Sequence, residues 1–422
     1  MNSNLGYGII LVSILVIATI VTVLLITLNK KDDNVVKKVQ SVAIGVTSNS
    51  GVGIVPPTLL YSYDGKIWAH GTGVSFSYDL GGTDAYFSNA GSAYGNERWV
   101  ATGQNKDTNQ NIIYSDDGID WKAASRRDGM SIFYNGAVNS GYKRGNAVAY
   151  STTLKRWVAV GKDINNENIL YSADGITWDV AGMLGGGTST FIGASTLNGG
   201  YNVKYANNIW VAVGEAENND SNILYSTNGI SWTKGTMLGG ASAFVQTGGG
   251  GGRALVFDLT TSTWYAGGQS DNNITLLSST TGDNWQEVNA TITSGGSFLP
   301  NGCYSLSYSL KRNAFLATGI SGGTSEENLL FTETTLQNWE STTMSNGISF
   351  PFPGIINGNE VAYSTNLDLW LAAGGPLGEG LGGALIYSSN GISWDKATMS
   401  NGVSFPFGSG LTGAAFSVVT RD

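Results

Sequence analysis

The stretch Tyr201 to Thr236, YNVKYANNIWVAVGEAENNDSNILYSTNGISWTKGT, decides the fold. It divides into four short runs rich in β-branched and aromatic residues, at 202–206, 209–216, 222–227 and 230–236. Such runs, bounded by Asn, Asp and Gly clusters, read as antiparallel strands. The last two are joined by Asn228-Gly229, a pair whose preference for positive φ predicts a two-residue type I′ turn.

The same cassette, Tyr-Ser-x-Asp/Asn-Gly-x-x-Trp in its clearest copies, recurs along the chain and closes at Trp68, Trp121, Trp178, Trp232, Trp285, Trp339 and Trp394, at intervals of 53 to 57 residues. A period of this size, carried by strand-type residues, marks radially repeated small sheets. The chain is therefore predicted to be all-β, a seven-bladed β-propeller of four-stranded blades. Second strands open on another aromatic, at Trp99, Trp157, Trp210, Trp264, Phe315 and Trp370. These two recurring positions account for all 12 tryptophans, which makes them blade packing and not ligand contacts. At the turn, Asp64, Asp117 and Asp174 alternate with Asn228 and Asn390, and Thr281-Gly282 and Thr334-Thr335 depart from the pair. A turn tolerates that exchange; a catalytic carboxylate would not.

The ends indicate how the ring closes. Blade 1 begins with a second-strand sequence, residues 41–46, and lacks the strand that should precede it. The C-terminus holds one left over, residues 413–419, matching Val361-Ala-Tyr-Ser364. This last strand is expected to pair beside residues 42–46 and fasten the first blade to the last.

Of 422 residues, 60 are glycine, 13% are charged, and the net charge is -9, a balance that argues against nucleic acid as a partner. The single cysteine, Cys303, excludes an intrachain disulfide, and the single histidine, His70, cannot by itself supply a zinc site. No cofactor and no metal site is predicted. Residues 1–6 read as a short tail, and Tyr7 to Leu28 carries no charge over 22 residues; as a helix it would be about 33 Å long and span a bilayer. It reads as an uncleaved anchor, followed by a polar tether at 29–40 and the propeller at 41–422. Lys30, Lys31, Lys37 and Lys38 follow the span and none precedes it, which places the propeller on the cytoplasmic side. Sequons at Asn219, Asn273 and Asn289 would be acceptors only on the opposite side.

With these cassettes the chain resembles the Asp-box, or sialidase-type repeat, propellers over about residues 41 to 420. That family carries Ser/Thr-x-Asp-x-Gly-x-x-Trp between the third and fourth strands; Ser172-Ala-Asp174-Gly175-Ile-Thr-Trp178 is one residue shorter. Sialidases would bring three arginines, a tyrosine paired with a glutamate, and an aspartate, but no Arg-Ile-Pro motif is present. The resemblance implies the fold and not hydrolysis. The asparagine-rich cassettes beside a lone apolar span also resemble repeat proteins of large DNA viruses.

Departures from the repeat are where function is expected. Linkers between blades carry Phe76, Phe133, Phe191, Phe244, Phe298, Phe350 and Phe405, either sealing grooves or forming an aromatic platform for a protein or glycan partner. After blade 2, Arg126, Arg127, Lys143 and Arg144 make a basic patch on an acidic chain, suited to an anionic partner or lipid headgroups. Acidic loops at Glu215 to Asp220 and Asp163 to Glu167 match no calcium motif, and Gly248 to Gly252 precedes no helix and is no phosphate cradle. The expected role is a non-catalytic, membrane-anchored interaction scaffold that presents a propeller face to a protein partner, as a virion membrane or capsid-associated protein would. The alternative is a glycan-binding or sialidase-like ectodomain. A ring centre with clustered arginines and carboxylates would favour the alternative; a centre filled by first-strand side chains would favour the scaffold.

Overall fold

The computed structural model describes residues 37–45, 59–76, 90–104, 111–133, 144–163, 165–186, 191, 199–215, 222–238, 244, 251–270, 275–293, 299, 302–319, 328–333, 336–345, 358–376, 383–402 and 415–420. The apolar span at 7–28 lies outside them. No helix among the described residues is long and apolar enough to cross a membrane. Every regular element among them is a strand, and the strands form seven sheets, the blades of a β-propeller.

Blade 4 shows the plan: Gly199–Ala206 is innermost, followed outward by Ile209–Glu215, Ile223–Ser226 and Ser231–Lys234. Each sheet has five strands, not the expected four, because a two-residue strand from the neighbouring linker adds in parallel to the outer edge. In blade 4 this is Gly182–Met183, paired with Ser231 and Trp232. An outer strand with unpaired N–H and C=O groups would be an exposed edge, and this clip covers it while tying each blade to the next.

The two tryptophans of a blade lie on the same wall. Tyr150 pairs across strands with Trp157, with ring centroids 4.7 Å apart, and Tyr205 pairs with Trp210 at 5.0 Å. Trp178 donates its indole N–H to the Gly175 carbonyl at 3.3 Å, as Trp68 does to Gly65 at 3.1 Å. All 12 indoles are buried, so the repeat spends its largest apolar groups on the walls between blades.

The cassette turn is not the expected two-residue type I′ hairpin. Ser172 pairs with Trp157 on one side, yet its hydroxyl accepts the N–H groups of Asp174 and Gly175, at 3.2 and 2.8 Å. The Asp174 carboxylate accepts those of Ile176 and Thr177, both at 2.8 Å. Only the glycine has positive φ, +75° at Gly175, whereas type I′ needs it at both central residues. The side chains take over the turn's backbone donors and open it. Asn228 makes the same bonds to Ile230 and Ser231, at 2.8 and 2.9 Å.

Closure is double. Residues 415–420 form the innermost strand of blade 1, antiparallel to Ser41–Gly45 with Val42 opposite Val419. Thr398–Met399 from blade 7 clips Ile67 and Trp68 in parallel. The innermost strands of successive blades then pack side by side around a central channel.

Deleting residues 412–422 removes one of the two closures and the whole inner strand of blade 1; thermal unfolding should lose its single cooperative transition, and a variant that melts like the full chain contradicts this. A second prediction concerns acid. Burial pushes the Asp64, Asp117 and Asp174 carboxyls up, but bonds from two backbone N–H groups and a serine hydroxyl outweigh it, so each sits below the usual carboxylate range. A depressed folded-state value adds stability above the unfolded value of about 4 that is lost as pH falls. The triple Asp64→Asn, Asp117→Asn, Asp174→Asn variant should match the parent at pH 7 and lose less melting temperature below about pH 4.

Candidate functional site

Six of the seven innermost strands carry the same irregularity near the start. Opposite the second strand the register slips by one, leaving an extra residue at Asn146, Tyr201, Arg253, Tyr304 and Asn359. The strand 415–420 has the same slip at Phe416. A β-bulge re-aims one side chain and is common beside binding sites. Here it places Asn146, Tyr201, Arg253 and Tyr304 from four adjacent blades on one arc lining the channel, whose volume is about 740 Å³.

Arg253 is the centre of the arc. Its guanidinium carbon lies 4.0 Å from the centroid of the Tyr201 ring and 5.6 Å from that of Tyr304, so the cation is held between two aromatic rings. The Tyr201 hydroxyl donates to the Glu215 carboxylate at 3.0 Å. Glu215 stands at the end of the second strand of blade 4. Arg144 and Lys162, paired at the inner edge of blade 3, complete the cluster, with the Lys162 ammonium 5.7 Å from the Tyr201 centroid. Asp163, the next carboxylate, turns away and accepts the Asn165 N–H at 2.7 Å.

These groups are buried: Arg144, Lys162, Tyr201, Arg253 and Glu215 are all under 9% exposed. Burial pushes the Tyr201 phenol up to about 12, against the nearby Arg253 charge; at neutral pH it is a neutral donor. Burial also raises the Glu215 carboxyl, opposed by Arg253, Tyr201, Lys162 and Arg144. Three cations face one carboxylate, so the cluster is net positive on a chain of net charge -9, and Arg253 is its charged member that lines the channel. Interblade bonds hold the arc rigid: the Asn146 amide donates to the Gly200 carbonyl at 2.6 Å and that of Asn202 to the Arg253 carbonyl at 3.1 Å. Among the described residues no group of three or more His, Cys, Asp or Glu could hold a metal ion.

The residues singled out by sequence fall elsewhere, except Arg144 and Glu215. Phe76, Phe133, Phe191 and Phe244 are at most 1% exposed and offer no face to a partner. Each ring covers a glycine in, or just after, the second strand of the following blade; a Cβ at Gly103, Gly161, Gly214 or Gly268 would meet it at 2.8, 2.9, 2.8 or 2.5 Å. The asparagine that starts a third strand ties the same linker down, as Asn222 does by donating to the Phe244 carbonyl at 3.3 Å. In blade 6 the group that covers Gly319 is Leu299, the residue after Phe298, with a Cβ distance of 2.9 Å. Phe298, Phe350 and Phe405 lie outside the described residues.

The basic residues do not form one patch. The Arg126 side chain is 3% exposed and bonds Asp128 at 2.6 Å and Glu167 at 2.7 Å. Arg127 pairs with Asp179 at 2.9 Å on the surface, and Lys143 lies outside the described residues. Arg144 alone reaches the channel cluster. Tyr201, Arg253 and Tyr304 were missed, although a signal exists: aligning blades on the Tyr205-type aromatic shows a variable residue after a small one, at Gly145-Asn146, Gly200-Tyr201, Gly252-Arg253 and Cys303-Tyr304.

The sequence matches no family model and no curated protein. Solved structures do match it as a fold. A protein from Lactobacillus plantarum aligns with a TM-score of 0.52 at 10% identity, over 91% of this chain and 100% of its own. An ancestral GH74 enzyme aligns at 0.45 and 14% identity, over 79% of this chain and 38% of that enzyme. A gluconolactonase from Xanthomonas campestris aligns at 0.41 and 8% identity, over 79% and 92%. The chain thus spans well under half the length of the GH74 enzyme. The expectation that this chain is not an enzyme does not stand: the solved structures that align with it include two enzymes.

If the linker phenylalanines are wall residues, Phe191→Ala should cost about 3–5 kcal/mol of stability. The check is denaturant unfolding; an unchanged midpoint would place the ring outside the wall.

Proposed function

We propose that this protein is a ligand-recognising propeller whose central channel takes an acidic saccharide, bound at the mouth by the bulge residues. One observation carries the reading: a channel of about 740 Å³ at the ring centre, with Arg144, Lys162 and Arg253 gathered round Tyr201 and Glu215. A solid centre packed by first-strand side chains would have argued for a purely structural disc. Arginine matches a carboxylate in two-point geometry, while the Asn146 side chain and the Tyr304 hydroxyl are polar groups on the same arc, suited to sugar hydroxyls. Residues 7–28 are proposed to anchor the propeller to a membrane. A protein partner is a second reading, favoured by Leu184 and Leu238, which stand 71% and 60% exposed at matching places on the rims of adjacent blades.

Isothermal calorimetry of the purified full chain against acidic and neutral oligosaccharides of equal length tests this. Binding should be confined to the acidic set, and Arg253→Ala should weaken it by about tenfold or more, the loss of one charged hydrogen-bonding group. Equal affinity for both sets, or undiminished binding by a folded Arg253→Ala protein, would sink the proposal. Product analysis of the same incubations reads any turnover.

A further inference from the structure

Deeper in the channel the repeat is broken a second time. The residue just before the inner-strand aromatic sits opposite the second strand at one fixed register, and in six blades it is small or aliphatic: Ala93, Ala149, Val256, Ser307, Ala362 and Val419. In blade 4 it is Lys204, opposite Val211. Its neighbours Val203 and Tyr205 pack into the wall toward blade 3, whereas Lys204 lines the channel and is exposed to its interior. Among the described residues no carboxylate lies within ion-pair distance of its ammonium. Glu360, on the inner strand of blade 7, acts on it only through its field.

We propose that Lys204 is a reactive amine, a capture site inside the channel for small carbonyl compounds such as aldehydes. The neutral amine attacks the carbonyl carbon, its lone pair forming the C–N bond while the C=O π pair moves to oxygen. The carbinolamine then loses water to give an imine, Lys–NH₂ + R–CHO → Lys–N=CH–R + H₂O, with no oxidant or reductant consumed. Channel solvent reaches the side chain, yet desolvation by the surrounding inner strands pulls its ammonium below the usual lysine range, partly opposed by the Glu360 charge. A larger neutral fraction at pH 7 is what a nucleophilic lysine requires. A structural role would call for an ion pair or a hydrogen bond, and neither holds this side chain among the described residues.

The test uses the full chain, glyoxylate and sodium cyanoborohydride at pH 7, followed by peptide mapping of the reduced adducts. Lys204 should be labelled faster than the exposed Lys122, Lys155 and Lys234, because a larger share of its amine is neutral. Glu360→Gln removes the opposing field and should speed labelling of Lys204 further. Lys204→Met should abolish that adduct while leaving the melting temperature and any binding at Arg253 unchanged. Labelling of Lys204 at or below the rate of the exposed lysines, or slower labelling in a folded Glu360→Gln protein, overturns the proposal.

Discussion

The structure depends on one constraint: seven sheets of one design must close into a ring with every tryptophan buried between them. Fixing Trp210 and Trp232 and their counterparts sets the wall of each blade, and the wall sets the distance of each inner strand from the axis. Closure then requires a strand from each end of the chain, and residues 415–420 beside Ser41–Gly45 supply it. A wall that rigid leaves little freedom for function except where a residue is inserted without disturbing it. The inner-strand bulge is such a place, because it adds one side chain on the channel while pairing with the second strand resumes on either side of it.

That division explains why some of the molecule was legible in the sequence and some was not. Tryptophans recur because the wall recurs, so fold, blade number and the closing strand could all be read from Trp68 to Trp394 and from the unmatched strand at the C-terminus. Two geometric details could not. The Asn-Gly and Asp-Gly pairs suggested a tight hairpin, but Ser172 and Asp174 supply acceptors that satisfy the backbone donors of a wider turn. The fifth strand of each sheet is only two residues long, too short for any periodicity to register.

The candidate site was hidden for a different reason. Recurrence draws attention to Phe76 and its counterparts, and recurrence is a signature of architecture; those rings cover glycines in the next blade. Chemistry sits where blades differ, at Tyr201, Arg253 and Tyr304 in one register and at Lys204 in another. Arg144 was noticed as part of a charge run, although its neighbours in space are Tyr201 and Glu215 and not Arg126. Sequence proximity grouped it with residues that serve as ion pairs on the outer edge.

Recognition of a ligand by residues on adjacent inner strands couples binding to the stiffest part of the ring. The arc needs no lid: Asn146 and Asn202 already fix its backbone through bonds to the neighbouring blades, which lowers the ordering cost of binding. The most direct measurement is hydrogen–deuterium exchange on the full chain with and without an acidic oligosaccharide. The account predicts new protection in 144–147, 199–202, 251–254 and 302–305, with the Ser-Asp turns unchanged. Protection confined to the outer rim, with the inner strands exchanging as before, would contradict it.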